Sequence, residues 1–133
     1  LETHQSEIYW NKVKNLEVFS STKNNIIRIV IPPSHCVQLL YQLTFTKFKY
    51  YIDWGGALIW MEACELTEEI FNSIRKKVVK HGGYVSMIKS SDHLPYVEDV
   101  FTINMNRYNI SQNIKKSFDP KRILNPGKMY TGI

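Results

Sequence analysis

Long apolar runs are missing from this chain. No stretch of roughly 18 apolar residues occurs, which argues against a membrane-spanning helix. Cysteine is scarce: Cys36 and Cys64 are the only two. They have no CxxC spacing and no clustered His partners, so two reduced core thiols are expected rather than a disulfide framework or a zinc site. That usage suits a cytoplasmic setting. A basic start followed by an apolar block is also missing, so no secretory leader is expected. Position 1 is Leu rather than Met, and the sequence reads as a piece of something longer. The four histidines, His4, His35, His81 and His93, never pair at i, i+4, and without an H-E-x-x-H pattern no metal is expected. Neither a P-loop, a G-x-G-x-x-G nor a G-x-S-x-G is present. The chain carries no self-contained catalytic engine.

What is present suits one globular domain over residues 1–133. Apolar residues make up 44% and charged residues 22% of 133, ordinary values for a packed core. A chain of this size buries roughly two-thirds of its unfolded surface. The net charge of +5 raises nucleic acid as a partner. The lysines are scattered, however, with short clusters only at Arg75 to Lys77, Lys115–Lys116 and Lys121–Arg122. Scattered charge is a solvated surface, and no nucleic-acid partner is expected.

Taken in order, Ser6 to Leu16 reads as a short helix with Ile8, Tyr9, Val13 and Leu16 on one side. Ile26 to Ile31 is a strand, apolar at nearly every position and so expected to be covered on much of both faces. Pro32–Pro33 end it, and Ser34 is placed to cap a helix whose buried face is marked by Val37, Leu40 and Tyr41, with Leu43 near its end. Phe45 to Asp53 and Ala57 to Glu62 read as two strands joined through Trp54-Gly55-Gly56. Thr67 starts the clearest helix, with Ile70, Phe71, Ile74 and Val78 on its buried stripe, and Gly82–Gly83 stop it. Tyr84 to Lys89 is a further strand. A polar loop with Pro95 leads to a helix over about Asn104 to Ser117, with Ile110, Ile114 and Phe118 along one stripe. The order from Ile26 is β-α-β-β-α-β. That predicts an α+β, ferredoxin-like fold, an antiparallel sheet with helices on one face, plus an N-terminal helix and a C-terminal helix with a clasp.

Three places can carry chemistry, and each has a plainer reading. Arg28 interrupts the first strand: it either needs a partner at a site edge or points to solvent from an uncovered face. Asp53, Trp54 and Gly55 combine a carboxylate, a flat apolar wall with one donor, and a glycine pair that lets backbone approach a ligand. The plainer reading is a hairpin bend with a core Trp. Asp53 could orient Arg28 if their strands are neighbours, and the pair could then hold a small acid, or form a structural ion pair. Near the end, Asp119-Pro120 stops a helix and Ile123-Leu124 are expected to anchor the next loop by burial. Asn125-Pro126-Gly127-Lys128 suits a type II turn. Such a turn can turn backbone N–H groups and the Asn125 amide outward, or can simply close a C-terminal clasp.

Phe118-Asp119-Pro120, Ile123-Leu124-Asn125-Pro126-Gly127-Lys128-Met129-Tyr130 resembles the C-terminal signature of FAD-linked oxidases of the vanillyl-alcohol-oxidase type. Arg28 leading into Ile29 to Pro33, and Asp53-Trp54-Gly55-Gly56-Ala57 with Trp60, are similar to the FAD-binding E subunits of bacterial glycolate oxidases. The resemblance runs over most of the chain and implies a cap domain over the substrate side of the flavin. FAD would be held mainly by an N-terminal domain outside these residues, so this chain alone is expected to be inactive and to bind FAD weakly or not at all. The same resemblance puts Asn125, Pro126, Gly127 and Lys128 by the flavin and Arg28, Asp53, Trp54 and Gly55 in the substrate cavity. It implies oxidation of a short 2-hydroxy acid such as glycolate, with a second flavoprotein subunit and an iron–sulfur subunit as partners, and a peripheral place at the inner membrane through them. One departure stands out: the family tends to have His after the Gly pair, where this chain has Tyr84. The rival reading from the residues is a stand-alone ferredoxin-like module for a small ligand or RNA.

Overall fold

The structure is a computed structural model and describes residues 3–19, 24–43, 48–90, 101–128 and 130–133. The predicted Pro95 loop, His93, residues 45–47 and Met129 lie outside the described residues. The elements are α1 (Thr3–Lys14), β1 (Asn25–Val30), α2 (Cys36–Gln42), β2 (Phe48–Asp53), β3 (Leu58–Ala63), α3 (Glu68–Lys80), β4 (Tyr84–Lys89) and α4 (Met105–Phe118). The four strands form one sheet in the order β2-β3-β1-β4, and every pairing is antiparallel. That order results when α2 carries the chain past the place β3 later fills and α3 carries it past β1, as in the ferredoxin-like plait. The fold is α+β, as the element order predicts.

Alternation along the strands builds two unlike faces. Ile27 and Ile29 of β1, Ile59, Met61 and Ala63 of β3, and Val85 and Met87 of β4 all face one core. Cys36 and Leu39 from α2, Leu43 at its C-terminal cap, and Phe71, Ile74 and Val78 from α3 close over it. Each fully buried large side chain contributes about 1.5–3 kcal/mol. Arg28 belongs to the opposite face, together with its direct cross-strand partners Trp60 and Ser86.

Local signals explain how the helices are set. The Thr67 hydroxyl accepts from the Ile70 N–H at 3.3 Å, and Glu68 and Glu69 occupy the first turn of α3, where the dipole favours them. At the other end Gly82 has φ +75, and the Gly82 and Gly83 N–H groups bond back to Val79 and Val78 carbonyls, a glycine-dependent stop. Asn104 caps α4 through its Oδ1, which accepts from the Arg107 N–H at 2.9 Å.

Several expectations are corrected. Ser34 does not cap α2: a 3-10 turn at Pro33–His35 comes first, and His35 stands at the cap position without a side-chain bond. That turn rotates the phase of the helix, so Cys36, Leu39 and Leu43 are buried while Val37 and Tyr41 are 62% and 74% exposed. The N-terminal helix ends earlier than predicted, at Lys14, with Leu16 in the left-handed region at φ 57. It buries none of its residues, but the chain after it places Phe19 on the sheet, 2% exposed and stacked on Tyr51 at 5.6 Å. Cys36 is a buried thiol as expected, and Cys64 is exposed rather than in the core.

Candidate functional site

Strand register places a row of side chains across the face opposite α2 and α3. Tyr51 pairs with Trp60, Trp60 with Arg28, Arg28 with Ser86 and Ser86 with Phe101. Residues paired in this way share a face. Phe19 covers Tyr51 at one end of the row, and Tyr130 meets Phe101 edge-on at 6.2 Å at the other. Burial pushes the Tyr51 phenol above its ordinary value, and the Asp53 carboxylate adds to the rise.

Arg28 is at the centre of this row and of the sheet. Its guanidinium carbon lies over the Trp54 ring at 5.5 Å and over the Trp60 ring at 5.8 Å from the centroids. Each such contact is worth about 0.5–2 kcal/mol, more as water is excluded. Indole faces attract the cation but accept no hydrogen bond in its plane. Among the described residues the buried Arg28 Nε–H has no hydrogen-bond partner, and no carboxylate forms an ion pair with Arg28. Leaving such a donor unmet costs about 1–3 kcal/mol.

Asp53 does not orient Arg28. The condition for that pairing was neighbouring strands, and β3 lies between β1 and β2. The Asp53 carboxylate instead accepts from the Trp54 N–H at 2.7 Å, which fixes the start of the turn between β2 and β3. That turn runs through three successive left-handed residues, Trp54 at φ 52, Gly55 at φ 60 and Gly56 at φ 99. Trp54 is not a core residue, being 59% exposed. Of the four residues expected at the substrate site, Arg28 and Trp54 are thus brought together. Asp53 acts on Trp54, and Gly55 supplies the bend.

Trp60 and Ser86 were absent from the predicted site. Their parity with Arg28 was readable once strand limits were known, but the cross-strand register that aligns them was not. Glu62, 1% exposed on the same face, is another such residue. Its Oε1 accepts from Asn24 Nδ2 at 3.0 Å, and the exposed Lys49 ammonium stands 4.0 Å from Oε2.

The C-terminal clasp is held by polar bonds. The Asp119 carboxylate accepts from the Ile123 N–H at 3.0 Å and the Leu124 N–H at 2.9 Å, and pairs with Lys115 Nζ at 2.7 Å. Lys115 also donates to the Leu124 carbonyl. This Lys115 bond, reinforced by the two N–H groups, holds the Asp119 carboxyl down to about 2 despite its burial. The predicted burial of Ile123 and Leu124 is overturned: they are 73% and 61% exposed, because their backbone N–H groups, not their side chains, anchor the loop. The stripe Ile110, Ile114 and Phe118 is exposed too.

Beyond the clasp, the Lys128 N–H bonds to the Asn125 carbonyl at 3.3 Å, closing a turn with Gly127 at φ +68. This is the turn expected for Pro126-Gly127, with one difference. The Gly127 N–H is taken by the Ile133 carbonyl at 2.8 Å and the Lys128 N–H by Asn125, so neither backbone donor is free for a ligand. The Asn125 amide and Lys128 ammonium remain, beside Lys115, Leu124 and Ile133 around a hollow of about 370 Å³.

Among the described residues no group of three or more His, Cys, Asp or Glu side chains could hold a metal ion. No helix among them is long and apolar enough to cross a membrane.

The model of the family described as FAD linked oxidases, C-terminal domain, matches residues 57–129. The glycolate oxidase subunit GlcE of Escherichia coli (strain K12) is 26% identical over 128 residues, covering 94% of this chain and 32% of its own length. The chain therefore spans about a third of that relative. No solved structure matches.

Proposed function

The chain belongs to the FAD-linked oxidases, whose C-terminal domain it matches over residues 57–129, and on that premise we propose that it is the substrate-facing unit of a flavin-dependent oxidase of short 2-hydroxy acids. Residues 1–133 act as one cap over a flavin held chiefly elsewhere in a longer protein. Arg28 anchors the substrate carboxylate. The observation that carries this is the buried Arg28 Nε–H with no acceptor among the described residues, in a guanidinium flanked by Trp54 and Trp60. A carboxylate accepts two parallel N–H bonds from one edge of a guanidinium and would satisfy that donor. Similarity to the glycolate oxidase subunit favours glycolate, oxidised to glyoxylate.

The residues at the C-terminal turn fit the edge of a flavin only in part. Asn125 and Lys128 offer side-chain donors beside a partly apolar hollow, which suits a ring with carbonyl oxygens and flat faces. Pro126 and Gly127 shape the turn, and its backbone donors are already used. This is too few contacts to hold FAD alone. When bound, FAD supplies the two-electron acceptor. The chain's own residues would bind the acid by its carboxylate, hold its orientation and exclude water. Partners would be further oxidase subunits, a second flavoprotein and an iron–sulfur protein, which would also bring this one to the inner membrane from the cytoplasmic side.

The test uses the natural-length protein. Anaerobic addition of glycolate should bleach its flavin absorption, and Arg28→Met should raise the concentration needed about 10²–10³-fold, the cost of removing one partner of a buried charge pair. Arg28→Met bleaching at the wild-type concentration would overturn the assignment.

A further inference from the structure

Resting on the reading of Arg28 as a carboxylate anchor, we infer that Trp54 is the specificity-determining wall of that site, and that Asp53 holds it there. The wall restricts ligands to short carboxylates with a small group on the carbon next to the carboxylate.

Burial alone does not account for Trp54. It is 59% exposed and so contributes little to the core, yet its φ is 52, a conformation that costs a non-glycine residue about 1–2 kcal/mol. A large exposed side chain on strained backbone is a recurrent mark of a functional position. Two features hold the strain in place. The Asp53 carboxylate accepts from the Trp54 N–H, and the Ala57 carbonyl, just past the glycine pair, accepts from the Ile31 N–H at 3.0 Å. The turn is thereby fixed to the main body, and what it presents is an indole face 5.5 Å from the Arg28 guanidinium carbon.

The two tryptophans differ in mounting. Trp60 is on a central strand, opposite Arg28 itself, and forms the floor. Trp54 stands on the exposed turn and forms the outer wall. In a forked carboxylate–guanidinium pair the two planes coincide, so the ligand's next carbon continues outward in that plane. A hydrogen or methyl on that carbon clears the flanking ring, whereas a phenyl group meets it. Asp53 is a positioning residue: it reaches the ligand only through the Trp54 backbone.

The experiment titrates the natural-length protein with glycolate and with mandelate, following the Arg28 Nε–H and the Trp60 indole N–H by NMR. Wild type should prefer glycolate. Trp54→Ala should shrink the glycolate-to-mandelate ratio about tenfold, within the range one pocket wall contributes to discrimination, and Asp53→Ala should do the same. Asp53→Asn keeps an oxygen acceptor for the Trp54 N–H and should retain the wild-type ratio, as a structural role for charge would not predict. Thermal midpoints report that each variant is folded. An unchanged ratio in folded Trp54→Ala overturns the inference and leaves the Arg28 reading standing. If wild type binds neither acid, or if Arg28→Met still shifts the Trp60 indole N–H on titration, the Arg28 reading falls and the inference with it.

Discussion

Arg28 and Trp60 face each other across the two central strands, with the guanidinium carbon 5.8 Å from the indole centroid. The pairing stabilises the cation on a sheet face where, among the described residues, no carboxylate forms an ion pair with it. Trp60→Ala removes a half-buried ring and one of the two indole contacts, so the expected loss is about 2–3 kcal/mol, below the 3–5 of a fully buried aromatic. Trp60→Phe should lose less than half of that, since a smaller ring still covers the strand. Urea unfolding of both variants measures the difference, and equal losses would mean that the stabilisation is specific to the indole and is not supplied by any aromatic ring at this position.

Gly83 is required by packing rather than by φ. An added Cβ would lie 2.4 Å from the Val30 carbonyl oxygen and 2.8 Å from Val78 Cγ1. One of these is backbone, at the end of the strand that carries Arg28, and cannot move away cheaply. Gly83→Ala is expected to cost about 1–3 kcal/mol. Gly127→Ala has open space around it and φ +68, so it should cost only the left-handed penalty of about 1–2 kcal/mol. Denaturant midpoints that rank the two the other way would show that strand and helix separate readily at Gly83.

The two cysteines should differ in reactivity. Cys36 is buried against the core and burial raises its thiol pKa, while Cys64 is exposed. Thiolate is the reactive form, so a thiol reagent at pH 8 should modify Cys64 quickly and Cys36 only as the chain opens. Two fast equivalents in the folded chain would contradict the burial of α2.

How far the sequence reveals the site depends on the kind of signal. The plait was readable because Ile27, Ile29, Ile59 and Met61 alternate on strands while Phe71, Ile74 and Val78 repeat at helical spacing, and both patterns reflect one core. Val37 and Tyr41 were misplaced because a 3-10 turn at Pro33–His35 shifted the helix phase, and proline marks a break without fixing the geometry after it. Arg28 announced itself as a charge in an apolar strand. That its neighbours are Trp60 and Ser86, and not Asp53, depended on strand order, a long-range property that local pattern does not contain. Ile123 and Leu124 look like anchors by composition, but the polar side chain of Asp119 does the anchoring.

Asp119 gives the clasp a pH dependence whose sign follows from its bonds. In the folded chain its carboxyl titrates at about 2, below the ordinary 3.8, chiefly because Lys115 bonds the carboxylate and the Ile123 and Leu124 N–H groups reinforce it. A depressed carboxyl pKa means that the folded state favours the charged form. The stabilisation is therefore fully present above pH 3.8, declines below it, and is lost as pH falls through about 2. Asp119→Asn keeps one acceptor oxygen but loses the charge and one oxygen, so Leu124 or Ile123 is left without its bond. In that variant the clasp should be weaker at pH 7 and should change less between pH 5 and pH 2. The readout is amide hydrogen exchange at Ile123 and Leu124 across that range, for wild type and variant. Protection that falls equally steeply in both would assign the acid sensitivity to another carboxylate, and parallel loss across all of β1 would place it in the sheet.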